Sequence, residues 1–382
     1  MKYLGSSLLV LVGASLLGGC KEYFSVSEAC SDKLPSSRGL SPTEQDAMLR
    51  LNCHRRLAGL SRAVPNELVT RQANDVLNYV LLNPSNEFLY GTARENAYLN
   101  QLQQNPGFTG LSVYDRLTSP SLGYIYYDEI GSNTREYIDV QWTYGQEPLP
   151  SGAAAVDYLM KDPQFRQSGL QPSWLDGAYA EIDLSPEWFA AAGVDPLPTS
   201  GKAYYLATIY TEPHIEHADS PVVYPKEGQT DVPLWAFTHS PSLERLGEFS
   251  QTGYPITFTM GAIDPANYFE IDFNQYRADI LNLSLIDQTG ALVDTALLMP
   301  GDELNGSLPD GKWLRTTIGA YPLAPLAPST RYTLSAEISS PAGEWSFSFD
   351  FTTVAEDRDP GIDLGLQAEG LTTATTTTTA GY

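Results

Sequence analysis

Apolar residues recur at helical spacing over the first part of the chain and at strand spacing over the last. Ser41-Pro42-Thr43-Glu44 combines a capping box with proline at the first helical position, and Met48, Leu51, Leu57 and Ala58 follow on one face. A helix is therefore predicted from Ser41 to a stop at Gly59. A second is predicted from about Asn66 to Leu82, with Leu68, Val69, Ala73, Val76, Tyr79 and Val80 as its stripe and Asn83-Pro84 as its end. Between residues 105 and 129 the periodicity gives way to NPGFTGLSVYDRLTSPSLGYIYYDE. There Gly107 and Gly110 frame a tight turn, and Ser112 caps a short helix carrying Asp115 and Arg116. Pro120 and Gly123 end that helix before a Tyr-rich run that closes on Glu129. An apolar strand is predicted over Tyr204 to Tyr210. From Pro221 to Val354 strand follows strand: Ile256 to Met260, Phe269 to Phe273, Ile280 to Ile286, Ala291 to Leu298, Arg331 to Ile338 and Trp345 to Phe351. Trp345, Phe347, Phe349 and Phe351 alternate and mark one buried face.

The two ends differ from this body. Lys2 precedes the apolar run Leu8 to Leu17, too short for a stable membrane span and of the length of a signal-peptide core, so residues 1–19 are read as a signal peptide. The run closes on Leu17-Gly18-Gly19-Cys20, which resembles a bacterial lipobox and implies acylation of Cys20; the alternative is an ordinary signal peptide with an incidental cysteine. Lys21 after that cysteine points to outer-membrane retention if the host is a diderm. Residues 20–40, polar and carrying Pro35, Ser36, Ser37 and Gly39, are expected to be a lipidated tether, and residues 355–382, ending in a Thr-rich run, a disordered tail. A chain of 382 residues exceeds one typical core, and two folded domains are expected, over 41–215 and 220–354.

Charge narrows the partners. With 22 basic and 46 acidic residues the formal charge is −24, which excludes nucleic acid and bare anionic membrane, so membrane contact is expected through the lipid. Cys30 and Cys53 remain once Cys20 is assigned to lipid. In an oxidising compartment they are expected to pair, at about 3 kcal/mol in the chain-entropy model; two buried free thiols are the alternative.

A family resemblance rests on order and spacing. Asn52-x-x-Arg55-x-x-x-Gly59-Leu60 is followed by Leu68, Ala73 and Tyr79, then Pro106-Gly107-Phe108-Thr109-Gly110, Arg116, Gly123-Tyr124 and Glu129. Ala155-Val156, Asp162-Pro163-Gln164-Phe165-Arg166, Leu170 and Gly177 come later. Over about residues 44 to 210 the chain resembles the bacterial branch of the CAP superfamily (cysteine-rich secretory proteins, antigen 5 and plant pathogenesis-related proteins). The resemblance implies an α-β-α sandwich with a cleft over one end of its sheet. Family members commonly line that cleft with two histidines and two acids. Here Val76 stands where the first histidine is expected and Phe165 where the second is, so no metal and no other cofactor is expected. Glu129 is kept, and Asp157 and Asp162 are candidates for the fourth position. The resemblance thus implies an apolar cleft lined by Val76, Phe165, Tyr124 and Arg166 around Glu129, for a small apolar ligand whose polar end Glu129 fixes. The alternative is that Glu129 pairs with Arg116, Arg166 or a tyrosine hydroxyl and the cleft is a relic. Of the histidines, His214 and His217 are placed in an interdomain loop, and His54 and His239 at the surface.

Leu323-Ala324-Pro325-Leu326-Ala327-Pro328-x-Thr330-x-Tyr332-x-Leu334, with Trp345-Ser346-Phe347 and Phe351-Thr352-Thr353, resembles bacterial immunoglobulin-like modules. A β-sandwich of about seven strands is expected. The fold class is therefore α+β, a CAP-like α-β-α sandwich followed by an all-β Ig-like sandwich. No catalytic residue is assigned. The expected function is a lipid-anchored envelope protein that binds a small apolar ligand or a cell-envelope partner. Two alternatives remain: a hydrolase, protease or esterase, with Glu129 as base, and a structural or adhesive surface protein without a small-molecule site.

Overall fold

The computed structural model describes residues 23–31, 33–34, 39–85, 103–110, 134–146, 148–171, 176–209, 220–237, 251–260, 278–299, 317–340 and 343–356. The first helices are α1 (Val26–Ala29), α2 (Pro42–Leu57) and α3 (Glu67–Leu82). Both arms of the α2 capping box close: the Glu44 backbone N–H donates to Ser41 Oγ (3.2 Å) and the Ser41 N–H donates to Glu44 Oε2 (2.6 Å). His54, Arg55 and Arg56 fill the last turn, where cations meet the carbonyl end of the helix dipole, and Gly59 leaves at φ +80°. The turn beyond is pinned by the motif residues themselves. Asn52 exchanges two hydrogen bonds with the backbone of Ala63, and the buried Arg55 donates to Ser61, Gly169 and Gln171 carbonyls. Asn66 caps α3 through Leu68 and Val69, and Leu77 joins its buried stripe while Leu68 stays half-buried.

A four-stranded sheet follows, in the order β1 (Val64–Pro65), β3 (Asp176–Leu184), β4 (Ser200–Ile209), β2 (Thr134–Thr143). The β1–β3 pair is parallel and the others are antiparallel. Side chains alternate across β4: Ala203, Tyr205 and Ala207 share a core with α3 and α6 (Pro186–Ala191), while Tyr204 and Leu206 share one with α2, α4 (Ala153–Leu159) and α5 (Pro163–Gly169). The sheet thus lies between two helical layers. Ala178, Ala180, Ala203 and Ala207 keep the α3 face low, and Gly201 leaves room for Phe189, whose ring would lie 2.2 Å from a Cβ there.

In the C-terminal part every described element is a strand. Its strands are β5 (Val222–Tyr224), β6 (Trp235–Phe237), β7 (Gln251–Gly253), β8 (Ile256–Thr259), β9 (Asp279–Asp287), β10 (Thr295–Leu298), β11 (Thr317–Pro322), β12 (Arg331–Ser340) and β13 (Gly343–Thr352). They form sheets ordered β10-β11-β8-β5 and β13-β12-β9, with β6-β7 as a separate pair. Phe258 of one sheet meets Phe347 of the other at 5.9 Å between ring centroids. The run predicted over Ala291 to Leu298 is strand only from Thr295, because Asp287 Oδ1 collects the N–H groups of Thr289 and Ala291 and holds a turn first. Of the alternating aromatics, Phe349 and Phe351 are buried and Trp345 and Phe347 half-buried. The strand predicted over Phe269 to Phe273 lies outside the described residues.

Residues 23–30, within the stretch read above as a tether, are docked. Ser25 and Glu28 cap α1, Val26 and Ala29 are buried in the core, and Cys30 is bonded to Cys53 of α2. On the other side Val26 N donates to Asp231 Oδ2 (2.8 Å) and Thr230 N to the Phe24 carbonyl (2.7 Å). This strap touches the helical layer and the β region together, and the buried apolar residues of both belong to one continuous cluster.

Candidate functional site

Of the residues predicted to line one apolar cleft, Val76 is not brought together with Phe165 and Arg166. Val76 lies in the α3-side core and Phe165 on the opposite face of the sheet, packed edge-on against Tyr137 at 5.2 Å. Their positions on two helices gave no indication that the sheet would pass between them. Glu129, Tyr124 and Cys20 lie outside the described residues, as do His214, His217 and His239. Asp162, a candidate for the fourth acid, caps α5 through Gln164 N (2.8 Å) and accepts from the Tyr137 hydroxyl (2.9 Å).

Arg166, expected to line that cleft, is buried where the helical layer meets the β region. Its Nε donates to the Met160 carbonyl (2.6 Å), and its Nη1 to the carbonyls of Tyr224 (3.4 Å) and Pro255. The guanidinium lies 4.2 Å from the centre of the Tyr254 ring and 5.2 Å from that of Tyr224. Carbonyl oxygens and two ring faces thus solvate a buried cation. Burial pushes the Tyr254 hydroxyl up to about 12. A residue expected to face a ligand instead fastens α5 to β5 and to the start of β8.

His54 corrects the expectation of a surface residue: it is 4% exposed. Its Nε2 lies 2.8 Å from Asp157 Oδ1 of α4 and its Nδ1 lies 2.8 Å from the Tyr224 hydroxyl. Arg50, one turn earlier on α2, donates to the same Asp157 oxygen at 2.6 Å. Burial pushes the Tyr224 hydroxyl far above its ordinary value, so it keeps its proton and donates to Nδ1. The neutral ring then carries its hydrogen on Nε2, facing the carboxylate. Burial lowers the His54 pKa, and the opposing pull of Asp157 does not restore it. At Asp157 burial acts upward, but hydrogen bonds from His54 and Arg50 outweigh it and hold the carboxyl below its usual range. Arg50 and His54 stand at i and i+4 on one helix face, a sequence signal that was available.

A second polar group sits between β3, β4 and the residues leading into α4. Glu181 accepts from the Ser151 hydroxyl, Gly152 N (3.0 Å), the Tyr179 hydroxyl (2.6 Å) and Lys202 Nζ (3.0 Å). Lys202 also reaches Asp183 at 2.7 Å, and the Tyr204 hydroxyl donates to the Pro150 carbonyl at 2.8 Å. Burial acts upward on Glu181, but the hydrogen bonds led by Ser151 and Tyr179 win and lower its pKa. For Lys202 burial acts downward and is overcome by Asp183 and Glu181, which raise it. The amine is therefore charged at neutral pH, which disfavours it as a base toward Ser151. A lysine inside the apolar run of β4 was the signal for this pair.

The sequence matches no known family model and no curated protein. Among the described residues, no three His, Cys, Asp or Glu side chains are grouped to hold a metal ion, and no helix is long and apolar enough to cross a membrane.

Proposed function

We infer that the chain is a lipid-anchored cell-envelope protein, acylated at Cys20 and held at the outer membrane of a diderm host. In this reading a CAP-like α-β-α module and an Ig-like module form one non-enzymatic unit that binds an envelope partner. One observation carries the non-enzymatic part: the polar groups best suited to chemistry in the described interior are bonded inward. Both His54 nitrogens are engaged, Glu181 accepts from four donors, and Arg166 gives its Nε and Nη1 to carbonyls and lies against two rings. Catalysis would require breaking contacts that hold the fold. The helical layers on both faces of the first sheet support the CAP-like reading. The Tyr332 hydroxyl, which accepts from Ala327 N at 2.8 Å and hooks the chain back before β12, supports the Ig-like one. Separation of Val76 from Phe165 favours a partner on the outside over a small apolar ligand inside.

Fractionation of the native host with wild type and Cys20→Ser tests the reading. Wild type is expected in the membrane fraction and the variant in the soluble one. Native mass spectrometry of the ectodomain from the same host is expected to show the bare chain mass. A retained small molecule or metal ion would overturn the assignment of a surface binder.

A further inference from the structure

Because the strap is docked from Tyr23 onward, a lipid on Cys20 would have little chain to work with. Three residue steps separate the two positions, and an extended chain covers at most about 3.6 Å per residue, so Tyr23 stays within about 11 Å of an acylated Cys20. A tether running to residue 40 would have permitted several times that distance. The structure removes that freedom by fixing the strap on both sides, through Cys30–Cys53 toward α2 and through Val26 to Asp231 and Phe24 to Thr230 toward the β region.

The surface at the start of the strap suits this position. Phe24 is 43% exposed, and its ring lies over the turn at Gly228, where an added Cβ would come within 3.2 Å of it. Tyr23 accepts from Arg56 Nη2 at 2.5 Å and lies under the same guanidinium at 5.1 Å. Lys226 is half-exposed in the adjoining turn, with exposed Glu227 beside it and exposed Glu28 on the strap. Aromatic rings next to long cationic side chains match the headgroup region of a bilayer. The acids and the overall charge of −24 favour a zwitterionic surface over an anionic one.

We propose that the surface formed by Tyr23, Phe24, Arg56 and the turn at Lys226 to Gly228 rests against the zwitterionic bilayer that holds the lipid anchor. The inference rests on the lipid-anchored reading above. It places the junction of the helical and β regions at the membrane, with both regions held there together.

The test uses the full acylated chain in phosphatidylcholine vesicles, with a donor dye on Glu227→Cys, a substitution at an exposed turn position, and an acceptor on the headgroups. A second chain carries twenty Gly/Ser residues inserted between Glu22 and Tyr23, a coil of about 25 Å root-mean-square length. Energy transfer is expected to be high at native spacing and to fall at least twofold on insertion. Equally low transfer from the two chains, both floating with vesicles, overturns the bilayer contact and leaves the anchor standing. Failure of the native chain to float, with Cys20 found unacylated by mass spectrometry, overturns the anchor and this inference with it.

Discussion

Two buried polar groups among the described residues do opposite work. The Glu181–Lys202 group joins neighbouring strands of one sheet and the loop above them, and its charges are matched within that group. The group around His54 and Arg166 joins segments far apart in the chain, α2 and α5 to β5 and the start of β8, with a neutral imidazole and a cation facing carbonyls and rings. The first closes a sheet; the second closes the junction between the two regions. Both groups contain an ion pair, Lys202 with Glu181 in the first and Arg50 with Asp157 in the second. At the junction itself, Arg166 reaches backbone carbonyls instead.

Substitutions separate the two groups, and the largest effect is expected at Arg166. Arg166→Met takes the guanidinium from the Met160, Tyr224 and Pro255 carbonyls and leaves the first two only the long contacts from the Tyr254 and Thr257 hydroxyls, at 3.4 Å each, for a loss of about 3–5 kcal/mol in chemical denaturation. Increased hydrogen exchange is expected in β5 and β8 and not in β3. Cleaving the disulfide, by reductant or as Cys30→Ser, is expected to cost about 3 kcal/mol by loop entropy and to expose residues 23–30 to protease. Lys202→Met removes the cation beside Glu181, which is 8% exposed, and is expected to cost about 2–3 kcal/mol. That loss is expected in exchange of the β3–β4 amides with β5 unchanged.

Acid distinguishes the groups without mutation. The His54 pKa is lowered in the folded state, so the unfolded chain binds the extra proton first. The junction therefore loses stability as pH falls below the ordinary histidine value of about 6.5 and on toward the folded value. Glu181 also has a lowered pKa, and its contribution is complete above the ordinary glutamate value and is lost only as pH falls through the carboxylate range. Between pH 7 and 5 the opening constant, taken from hydrogen exchange divided by the intrinsic amide rate, is expected to rise in α2 and β5 before β3 and β4, by up to about tenfold. His54→Gln is expected to flatten that dependence; equal responses in both places would remove the distinction.

The parts of the fold legible in sequence are those fixed locally. The capping box at Ser41, the stop at Gly59, the Asn66 cap and the strong periodicities of α3 and β12 need only neighbouring residues. The segments that escaped are fixed by distant ones. Thr317–Pro322 is strand because β8 and β10 flank it, although its Gly319 and Pro322 argue against a strand. The strap looked polar because its two buried residues are few, and its partners lie on α2 and in the 228–231 turn. Arg166 stands in a stretch that carries the resemblance, but its role depends on Tyr224 and Pro255, which no local pattern connects to it. His54 lies on a buried helix face that its apolar residues alone do not mark. The i, i+4 pair with Arg50 was visible, but its carboxylate partner is more than a hundred positions away.

The bond from Val26 to Asp231 spans 205 positions of sequence. A chain emerging N-terminus first presents Val26 long before its partner exists. The helices and first sheet have their own short-range closures and can assemble meanwhile, but the strap's outer edge must wait until the β region has been delivered. A growing chain stalled before residue 228 would carry a finished helical layer with its leading segment fastened on one side and open on the other.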